Sequence, residues 1–273
     1  MPELPEVEVT KKALSFALKN TSIIGVNVRN KKLRWPIEEN KIKNLIHSDI
    51  KKIIRRGKYI LICCEEGALI LHLGMSGSIG VFNENIKYHK HDHLELVLKN
   101  KKVIRLNDPR RFGCAVWTNE SPEKHKLIKN LGIEPLEESN LGKRLYSQSR
   151  KRNTAVKNYI MNSNVVVGIG NIYASESLFR SGINPIRSSN RISEDRYRRL
   201  GEEIRKVLNE AIEMGGTTLR DFTYYNEVKQ VGYFKQKLFV YGKSGEDCKK
   251  CGKEIRERVI GGRNSFYCSS CQT

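Results

Sequence analysis

Four cysteines near the C-terminus constrain the fold of this chain more than any other feature of its sequence. Cys248 and Cys251 form one C-x2-C pair, and Cys268 and Cys271 form a second pair after sixteen intervening residues. Two pairs at this spacing match the tetrahedral thiolate shell of a structural zinc ribbon. Four protein ligands leave no open position for a reacting water. We therefore expect one structural zinc ion that stabilises a segment with little apolar core of its own.

The net charge indicates which class of molecule this protein binds. The 273 residues include 50 Lys and Arg against 30 Asp and Glu, which gives a formal charge of +20 at pH 7. This excess is more than solubility requires and predicts a polyanionic partner. DNA is preferred to a membrane surface, because the sequence has neither a run of about 18 to 20 apolar residues nor a lipidation motif. The absence of a secretory signal pattern predicts a cytoplasmic protein with reduced thiols.

The N-terminal half has the pattern of a short helix followed by β-strands. Pro5 suits the first turn of a helix, and the apolar spacing behind it predicts a helix whose start holds Pro2, Glu3 and Glu6 close together. From Ile23 to Trp117, short β-rich runs alternate with Gly, Asn and charged turns. This alternation predicts a β-sandwich or barrel domain.

Beyond about Pro135 the hydrophobic period becomes helical. Ser193 is a suitable N-cap for a long amphipathic helix that ends at Gly215-Gly216. A second helix is expected to begin after Gly168-Ile-Gly-Asn171 and to stop at Gly182. Two helices joined by turns predict a unit similar to a helix-turn-helix, so the whole chain is expected to be an α+β multi-domain protein.

A basic segment and a glycine-rich turn are candidate phosphate contacts. The stretch from Leu141 to Met161 contains six Lys or Arg and no acidic residue. Such runs are usually solvated faces, but this one precedes the Gly168–Asn171 turn, whose amides and following helix N-terminus suit a phosphate. The turn lacks the GxGxxG pattern and the βαβ context of a dinucleotide fold, so a Rossmann domain is excluded.

Two further turns combine features of a side-chain wedge. The segment Asp108-Pro-Arg-Arg-Phe-Gly113 places cations beside an aromatic ring, and Leu73-Gly-Met-Ser-Gly77 carries a flexible Met75. A protein that extracts a base from DNA must fill the gap left in the stack, and such side chains suit this role. The alternative for both turns is packing within the core.

Three histidines, His89, His91 and His93, alternate along one run. On a strand this spacing would place all three on one face and Asp92 on the other. No zinc-hydrolase motif accompanies them. Phosphate contact or a surface position is therefore expected rather than a metal site.

Five ordered motifs together resemble bacterial formamidopyrimidine-DNA glycosylase. They are Met1-Pro-Glu-Leu-Pro-Glu-Val-Glu8, His72-Leu-Gly-Met-Ser-Gly77, Asp108-Pro-Arg-Arg-Phe-Gly113, Gly168-Ile-Gly-Asn-Ile-Tyr-Ala174 and the four-cysteine module. The match runs along nearly the whole chain. It implies an N-terminal β-sandwich catalytic domain over residues 1–134, a helix-two-turn-helix DNA-binding domain over 135–236 and a zinc finger over 237–273.

The resemblance also implies a bifunctional glycosylase and abasic-site lyase of base excision repair. Such an enzyme removes oxidised purines, namely 8-oxoguanine and formamidopyrimidines, through a Schiff base on Pro2 followed by β- and δ-elimination. Removal of Met1 would free the secondary amine of Pro2. An α-amino group titrates near 7.7 to 8.0, far below a lysine at about 10.4, so part of it is neutral and nucleophilic at pH 7.

The remaining site residues follow from the same resemblance. Glu3 is implied as the general acid on the sugar ring oxygen, Glu6 as a second functional carboxylate, Lys58 in β-elimination and Arg263 in δ-elimination. Taken from the residues alone, Glu3 and Glu6 equally suit the start of a helix, and Arg263 equally suits a solvated turn. The implied DNA contacts are His72, Met75, His91, Arg110, Phe112, Arg152, Asn153, Lys157 and Asn171. The implied lesion-recognition loop includes Thr217, Thr218 and Tyr224.

One position departs from the family pattern. Relatives commonly carry Lys or Arg just before Thr154, where this chain has Asn153. The change weakens one expected phosphate contact, which Lys151 or Arg152 would replace. The expected partner is damaged double-stranded DNA in the bacterial cytosol or nucleoid, and the chain is expected to act as a monomer without a nucleotide cofactor.

Two other functions remain open from the sequence. An endonuclease VIII type of glycosylase acts on oxidised pyrimidines, but that group resembles Pro-Glu-Gly-Pro-Glu at its start, whereas this chain has Leu4. A zinc-ribbon DNA-binding protein such as a transcription factor would explain the charge and the cysteines. It would give Pro2-Glu3 no role.

Overall fold

The computed structural model describes residues 1–217 and 237–273, so Thr218 and Tyr224 of the expected lesion loop lie outside the described residues. The described residues form two units. The N-terminal unit contains residues 1–130 and 215–217, and the C-terminal unit contains residues 131–214 and 237–273. Within these ranges, no helix has the length and apolar character needed to cross a membrane.

The secondary structure confirms a mixed α+β chain. The helices are α1 Leu4–Ala17, α2 Glu39–Ile42, α3 Leu141–Ser149, α4 Val156–Met161, α5 Asn171–Arg180 and α6 Glu194–Glu213. Short 3-10 turns lie at Lys43–Leu45, Pro122–Lys124 and Ser189–Arg191. The strands are β1 Ile23–Val28, β2 Ile50–Arg56, β3 Tyr59–Cys64, β4 Ala68–His72, β5 Ser78–Asn83, β6 Asp92–Leu98, β7 Lys102–Asn107, β8 Cys114–Thr118, β9 Arg256–Ile260 and β10 Arg263–Tyr267.

Two four-stranded antiparallel sheets build the N-terminal unit. One has the strand order β1-β6-β7-β5 and the other the order β2-β3-β4-β8. Both sheets contribute side chains to a single apolar core, in which Leu96 of β6 and Ile62 of β3 are fully buried or nearly so. Shared burial between two sheets is the mark of a β-sandwich. The expected β-sandwich is therefore confirmed.

The helix α1 packs against β2 and β3 at the edge of this core. Val7 and Leu14 are buried on its inner face, as the apolar spacing predicts. Pro5 lies in the first turn, where its missing N–H is not needed. The predicted helix at the N-terminus is thus confirmed, with Leu4 as its first residue.

A buried arginine ties one loop to the sandwich. The Nε of Arg105 donates to Glu95 at 2.7 Å, and its two Nη atoms donate to the carbonyl oxygens of Ile86 and Lys87 at 2.7 and 3.0 Å. The guanidinium also lies 4.3 Å from the ring centroid of Tyr88. Arg105 is only 2% exposed, so these groups replace its hydration and fix the loop at residues 86–88 to the sheet.

The connection between β5 and β6, which includes this loop, carries His89 and His91, the first two of the three alternating histidines. Strand β6 begins only at Asp92, and its pairing with β7 shifts register between Asp92 and Leu94. His89 is exposed before the strand, whereas His93 is buried within it. The expectation that all three histidines share one strand face is therefore wrong, because His89 and His91 precede the strand, although the ring centroids of His91 and His93 are 6.4 Å apart.

The C-terminal unit is built on the crossing of α3 and α6. A Cβ atom added to Gly142 would lie 2.5 Å from the Cα of Arg198, and one added to Gly201 would lie 2.5 Å from the nitrogen of Gly142. Only glycine permits this approach of the two backbones. Helix α6 follows Ser193 as its N-cap, as the sequence predicts.

The zinc-ribbon sequence forms a two-stranded antiparallel hairpin of β9 and β10. Gly261 and Gly262 make its turn with φ of +58° and +71°, a conformation that disfavours other residues. The hairpin lies in the same unit as the helices. Glu176 of α5, which is fully buried, accepts the backbone N–H groups of residues 239–241 at 2.9 to 3.0 Å. This carboxylate joins the segment leading into the ribbon to the helical layer.

The buried arginine gives a stability prediction. Arg105→Met leaves the buried carboxylate of Glu95 without its cation and should lower the free energy of unfolding of the N-terminal unit by about 3 to 5 kcal/mol. Urea unfolding followed by tryptophan fluorescence measures this unit, because both tryptophans of the chain, Trp35 and Trp117, lie in it.

The control is Lys51→Met, which removes an exposed ion pair of the same unit. Lys51 is half exposed and pairs with Asp49, so solvent screening makes the expected change small. Equal shifts in the two variants would contradict the assignment of Arg105 as a buried anchor.

Candidate active site

The start of α1 brings together both predicted catalytic carboxylates and one predicted lesion-loop residue. Pro2, Glu3 and Glu6 are buried. Glu3 and Glu6 form a capping box, in which the Oε2 of Glu6 accepts the N–H of Glu3 at 2.9 Å and the side chain of Glu3 accepts the N–H of Glu6. The Oε1 of Glu6 accepts from the nitrogen and the hydroxyl of Thr217 at 2.8 and 3.0 Å. Glu6 thus holds the chain beside Pro2 and the residue Thr217 at the same time.

The glycine before Thr217 is required by this contact. Gly216 has a φ of +84°, and a Cβ atom added there would lie 2.9 Å from the Oε1 of Glu6. Any other residue would therefore push the carboxylate away from the Thr217 backbone. The sequence shows Gly215-Gly216 only as a helix stop, whereas the structure gives the second glycine a role at the site.

Lys58 and His72 lie at adjacent strand ends of the sheet that contains β2, β3 and β4. Lys58 is in the two-residue loop between β2 and β3, and His72 ends β4. The ring of His72 lies 4.7 Å from that of Tyr59, and its Nδ1 accepts the N–H of Gly74 at 3.0 Å. Burial and then the charges of Lys58 and Arg34 lower the pKa of His72 to about 4. His72 is therefore neutral at pH 7, with its proton on Nε2, which makes it a hydrogen-bond donor without charge.

Asp108 joins the two wedge-like turns. Its carboxylate is fully buried and accepts from the hydroxyl of Ser76 at 3.1 Å and from the N–H of Gly113 at 2.7 Å. The two turns hold Met75 and Phe112, which are 39% and 43% exposed. Exposed apolar side chains on rigid turns suit insertion into a base stack better than core packing, which they do not provide here.

The remaining wedge residue and His91 lie next to Asp108: the N–H of Arg110 donates to its Oδ1 at 3.3 Å, and His91 contacts its backbone. The guanidinium of Arg110 stacks 4.9 Å over the ring of Phe112. The carbonyl oxygen of His91 accepts the N–H of Asp108 at 3.0 Å. Sequence reasoning assigns no role to Asp108, although an Asp at the first position of a Pro-containing turn is a recognised signal for side-chain capping of the backbone.

In the C-terminal unit, a buried lysine organises the predicted DNA contacts. The ammonium of Lys157 donates to the Oδ1 of Asn171, to the hydroxyl of Ser265 at 2.5 Å and to the carbonyl of Asn264 at 3.2 Å. The Nδ2 of Asn171 donates to the same carbonyl at 2.9 Å. The side chain of Lys157 is fully buried, so it orients Asn171 and holds β10 at Asn264 and Ser265, and the expectation that it contacts a phosphate directly is wrong.

Three predicted site residues of this unit are exposed: the DNA contacts Arg152 and Asn153, and Arg263, which is expected to act in δ-elimination. Arg263 is the first residue of β10. The Oδ1 of Asn153 accepts the hydroxyl of Ser188 at 2.7 Å. An asparagine at this position is thus tied to the 3-10 turn rather than presenting a cation.

The four predicted zinc ligands lie together. The Sγ atoms of Cys248, Cys251, Cys268 and Cys271 are all within 4.8 Å of one another, with Cys248 to Cys271 at 3.9 Å and Cys251 to Cys268 at 3.5 Å. Zn–S bonds of about 2.3 Å in a tetrahedron require S···S distances of about 3.8 Å. The donor set and its spacing therefore fit one structural zinc ion.

The cluster is also fixed to the helices. The side chain of Gln272 is buried, and its Oε1 accepts the N–H of Cys268 at 2.9 Å while its Nε2 donates to the carbonyl of Ile183 at 2.8 Å. One amide thus connects a ligand of the zinc site to the turn that follows α5. The finger and the helical layer are held as one unit by such contacts.

Comparisons with known proteins agree with these features. Three family models match the chain: the formamidopyrimidine-DNA glycosylase N-terminal domain over residues 1–115, its H2TH domain over 131–223 and the zinc finger found in FPG and IleRS over 245–273. The formamidopyrimidine-DNA glycosylase of Stutzerimonas stutzeri is 50% identical over 272 residues, with 100% of both chains covered.

Two solved structures are similar over the full length. A crystal structure of a Lactococcus lactis FPG mutant with Fapy-dG-containing DNA has a TM-score of 0.90 at 31% identity and covers 100% of both chains. The wild-type Lactococcus lactis FPG with DNA containing an oxidised pyrimidine has a TM-score of 0.89 at 30% identity, also with 100% of both chains covered.

The fold and the site define a DNA glycosylase with an H2TH domain and a four-cysteine zinc finger. The full-length identity then specifies the group within that class. The chain belongs to the formamidopyrimidine-DNA glycosylase family. The expected resemblance and the zinc finger are confirmed by these matches.

The zinc site gives a direct prediction. Elemental analysis of the purified protein should find about one zinc per chain, and Cys251→Ser should lower that content strongly because it removes one of four thiolates. Cys64→Ser is the control, since Cys64 is a half-buried thiol at the end of β3 in the other unit. A Cys251→Ser protein with full zinc content would contradict the assignment.

His72 gives a pH prediction. Its pKa of about 4 in the folded protein lies below the ordinary 6.5, so the unfolded chain binds more protons between these values. Stability should fall as the pH decreases through this window and should not depend on His72 above it. His72→Gln should flatten the pH dependence of urea unfolding between pH 6.5 and 4, whereas the exposed His89→Gln should not. An equally steep dependence in both variants would contradict the burial of a neutral His72.

Proposed function

We propose that this protein excises oxidised purines, including 8-oxoguanine and formamidopyrimidines, from damaged double-stranded DNA and then cuts the strand. The observation that carries the proposal is the buried cluster of Pro2, Glu3 and Glu6, in which Glu6 also accepts a hydrogen bond from the backbone of Thr217. A reactive amine beside a carboxylate is the pairing that base removal through a Schiff base needs.

The chemistry begins at the nitrogen of Pro2 after Met1 is removed. The neutral secondary amine attacks the anomeric carbon of the damaged nucleotide, and the bond between that carbon and the base breaks. Glu3 gives a proton to the sugar ring oxygen, so the ring opens and an iminium forms between Pro2 and the sugar. The base leaves with the electron pair of its glycosidic bond and takes up one proton, which balances the N–H proton that Pro2 loses when the iminium forms.

Strand cleavage follows from the iminium. It acidifies the neighbouring carbon of the sugar, and loss of that proton expels the 3′ phosphate by β-elimination, in which Lys58 takes part. A second elimination, assigned to Arg263, expels the 5′ phosphate. Water finally hydrolyses the link to Pro2 and returns the amine, so no external cofactor enters the reaction.

The DNA contacts proposed for the N-terminal unit rest on the exposure and the charge of its side chains. Met75, Arg110 and Phe112 fill the space that the extruded nucleotide leaves, because their turns are rigid and their side chains are solvent-accessible. His72 donates a hydrogen bond to the backbone as a neutral group, and His91 contacts the backbone next to the wedge turn.

The C-terminal unit supplies the second set of contacts. Arg152 and Asn153 meet phosphates from exposed positions, and Asn171 does so with its orientation set by Lys157. Thr217, which belongs to the N-terminal unit, contributes to lesion recognition together with Thr218 and Tyr224. We further propose that the chain divides into domains at residues 1–134, 135–236 and 237–273. The protein acts as a monomer in the bacterial cytosol or nucleoid and uses no nucleotide cofactor.

A second substrate class has one specific observation in its favour. The similar wild-type Lactococcus lactis enzyme has been solved with DNA that contains an oxidised pyrimidine. The chain start with Leu4 still favours purines, since the pyrimidine-specific group carries glycine there. Oxidised pyrimidines are therefore the minor candidate.

Borohydride trapping tests the nucleophile and the substrate class together. The Met1-processed protein should form a covalent adduct with a duplex that contains 8-oxoguanine opposite cytosine. A form that keeps one extra residue before Pro2 should bind the duplex without trapping, because an amide nitrogen is not a nucleophile. Glu3→Gln should slow base excision by about 100-fold or more while keeping the helix cap.

The outcomes separate the candidate functions. Efficient trapping on an oxidised pyrimidine with none on 8-oxoguanine would overturn the purine assignment. Absence of any adduct, with DNA binding intact, would favour a non-enzymatic binding protein. Trapping by the form with the extra residue would exclude Pro2 as the nucleophile.

A further inference from the structure

Arg55 links the two elements of the N-terminal unit that carry the proposed catalytic residues. Its Nε donates to the Oε2 of Glu8 at 2.9 Å, and its Nη1 donates to the carbonyl oxygen of Gly57 at 3.1 Å. The side chains of Arg55 and Glu8 are only 6% and 15% exposed. The guanidinium is therefore held between α1 and the β2–β3 loop with little access to solvent.

Each partner of this guanidinium lies close in sequence to a proposed catalytic residue. Glu8 is in the second turn of α1, five residues after Glu3. Gly57 precedes Lys58 in the two-residue loop between β2 and β3 and has a φ of +58°. The loop carbonyl that Arg55 holds thus belongs to the peptide unit that leads into Lys58.

We propose that Arg55 is a positioning residue for strand cleavage, which fixes the loop of Lys58 relative to the helix that starts at Pro2. This inference rests on the proposed function, because it takes Pro2 as the nucleophile and Lys58 as the group for β-elimination. The role proposed for Arg55 requires no contact with DNA or with the reacting atoms. It acts through the Gly57 carbonyl and the Glu8 carboxylate.

The chemistry of the pair supports a geometric role. A guanidinium presents its donors in a fixed plane, so two bonds to two different elements set their separation and their angle. A lysine ammonium has one flexible nitrogen and cannot reproduce both contacts in the same geometry. Partial burial raises the pKa of Glu8, but the hydrogen bonds and charges of Lys11 and Arg55 outweigh it, so the pKa is lowered and the carboxylate stays ionised at neutral pH.

The same carboxylate has a second partner, which provides a matched control. The Nζ of Lys11 lies 2.7 Å from the Oε1 of Glu8, one helical turn away on α1. Loss of Lys11 removes a cation from Glu8 without breaking the link to the Gly57 carbonyl. Loss of Arg55 removes a cation and the link together.

The test separates the two chemical steps on a duplex with a preformed abasic site. Single-turnover trapping with borohydride measures formation of the Pro2 adduct, and strand cleavage without reductant measures elimination. Arg55→Lys should slow elimination by about 10- to 100-fold, because a shift of about 1 Å in a catalytic group has effects of this size. Adduct formation should change by less than about threefold, and Lys11→Met should leave both rates near those of the wild type.

A double-mutant comparison covers the case in which one variant folds poorly. Glu8→Gln keeps the shape of the side chain, and its effect on elimination should not add to that of Arg55→Lys if the two residues act as one link. Tryptophan fluorescence during urea unfolding reports whether each variant remains folded at the assay conditions.

The results that would overturn the inference are specific. Equal slowing of adduct formation and elimination in Arg55→Lys would mean a general loss of structure, and additive effects with Glu8→Gln would mean independent roles. Unchanged elimination in a folded Arg55→Lys protein would also overturn it. Failure of the wild-type protein to trap any abasic duplex would instead overturn the proposed function itself.

Discussion

A charged side chain that leaves water must find protein groups to replace its hydration, or the burial costs several kcal/mol. This constraint accounts for the hydrogen bonds of three buried charged residues near the expected functional residues. Glu6 receives two backbone N–H groups and a hydroxyl at the start of α1. Asp108 receives a backbone N–H and a hydroxyl between two turns, and Lys157 reaches three oxygens near the hairpin. Because most of these partners are backbone groups or come from distant segments, the buried charges fix the backbone as much as they fix each other.

Buried, hydrogen-bonded charges fix the backbone under the exposed side chains that are expected to meet DNA. Met75 and Phe112 are exposed on turns that hydrogen bonds to Asp108 fix. Arg263 is exposed next to Asn264, whose carbonyl accepts from Lys157. A reactive or DNA-contacting side chain needs access, and access removes the packing that would otherwise orient it. The excess of 20 positive charges attracts a polyanion without regard to sequence, whereas these anchored positions give the encounter its geometry.

Much of the architecture was predictable from local patterns. Helix α6 begins after Ser193, and α5 begins at Asn171 after the glycine turn, as their capping signals indicate. The β-rich region forms a sandwich, although the three histidines do not share one strand face, because two of them precede the sixth strand. Burial of Lys157 was not predictable, since a lysine in a basic run is usually solvated and two of its three acceptors are 107 and 108 positions away.

The sequence by itself determined the zinc ligands, the helix start at Pro2-Glu3-Leu4-Pro5 and the turns with Met75 and Phe112, because each depends on residues that are neighbours in the chain. The tertiary structure alone decided which charged residues are anchors. Glu6 meets Thr217 across 211 positions, and Arg55 meets Glu8 across 47. Such pairs leave no periodic or spacing signal in a single sequence, since their partners come together only when strands and helices pack.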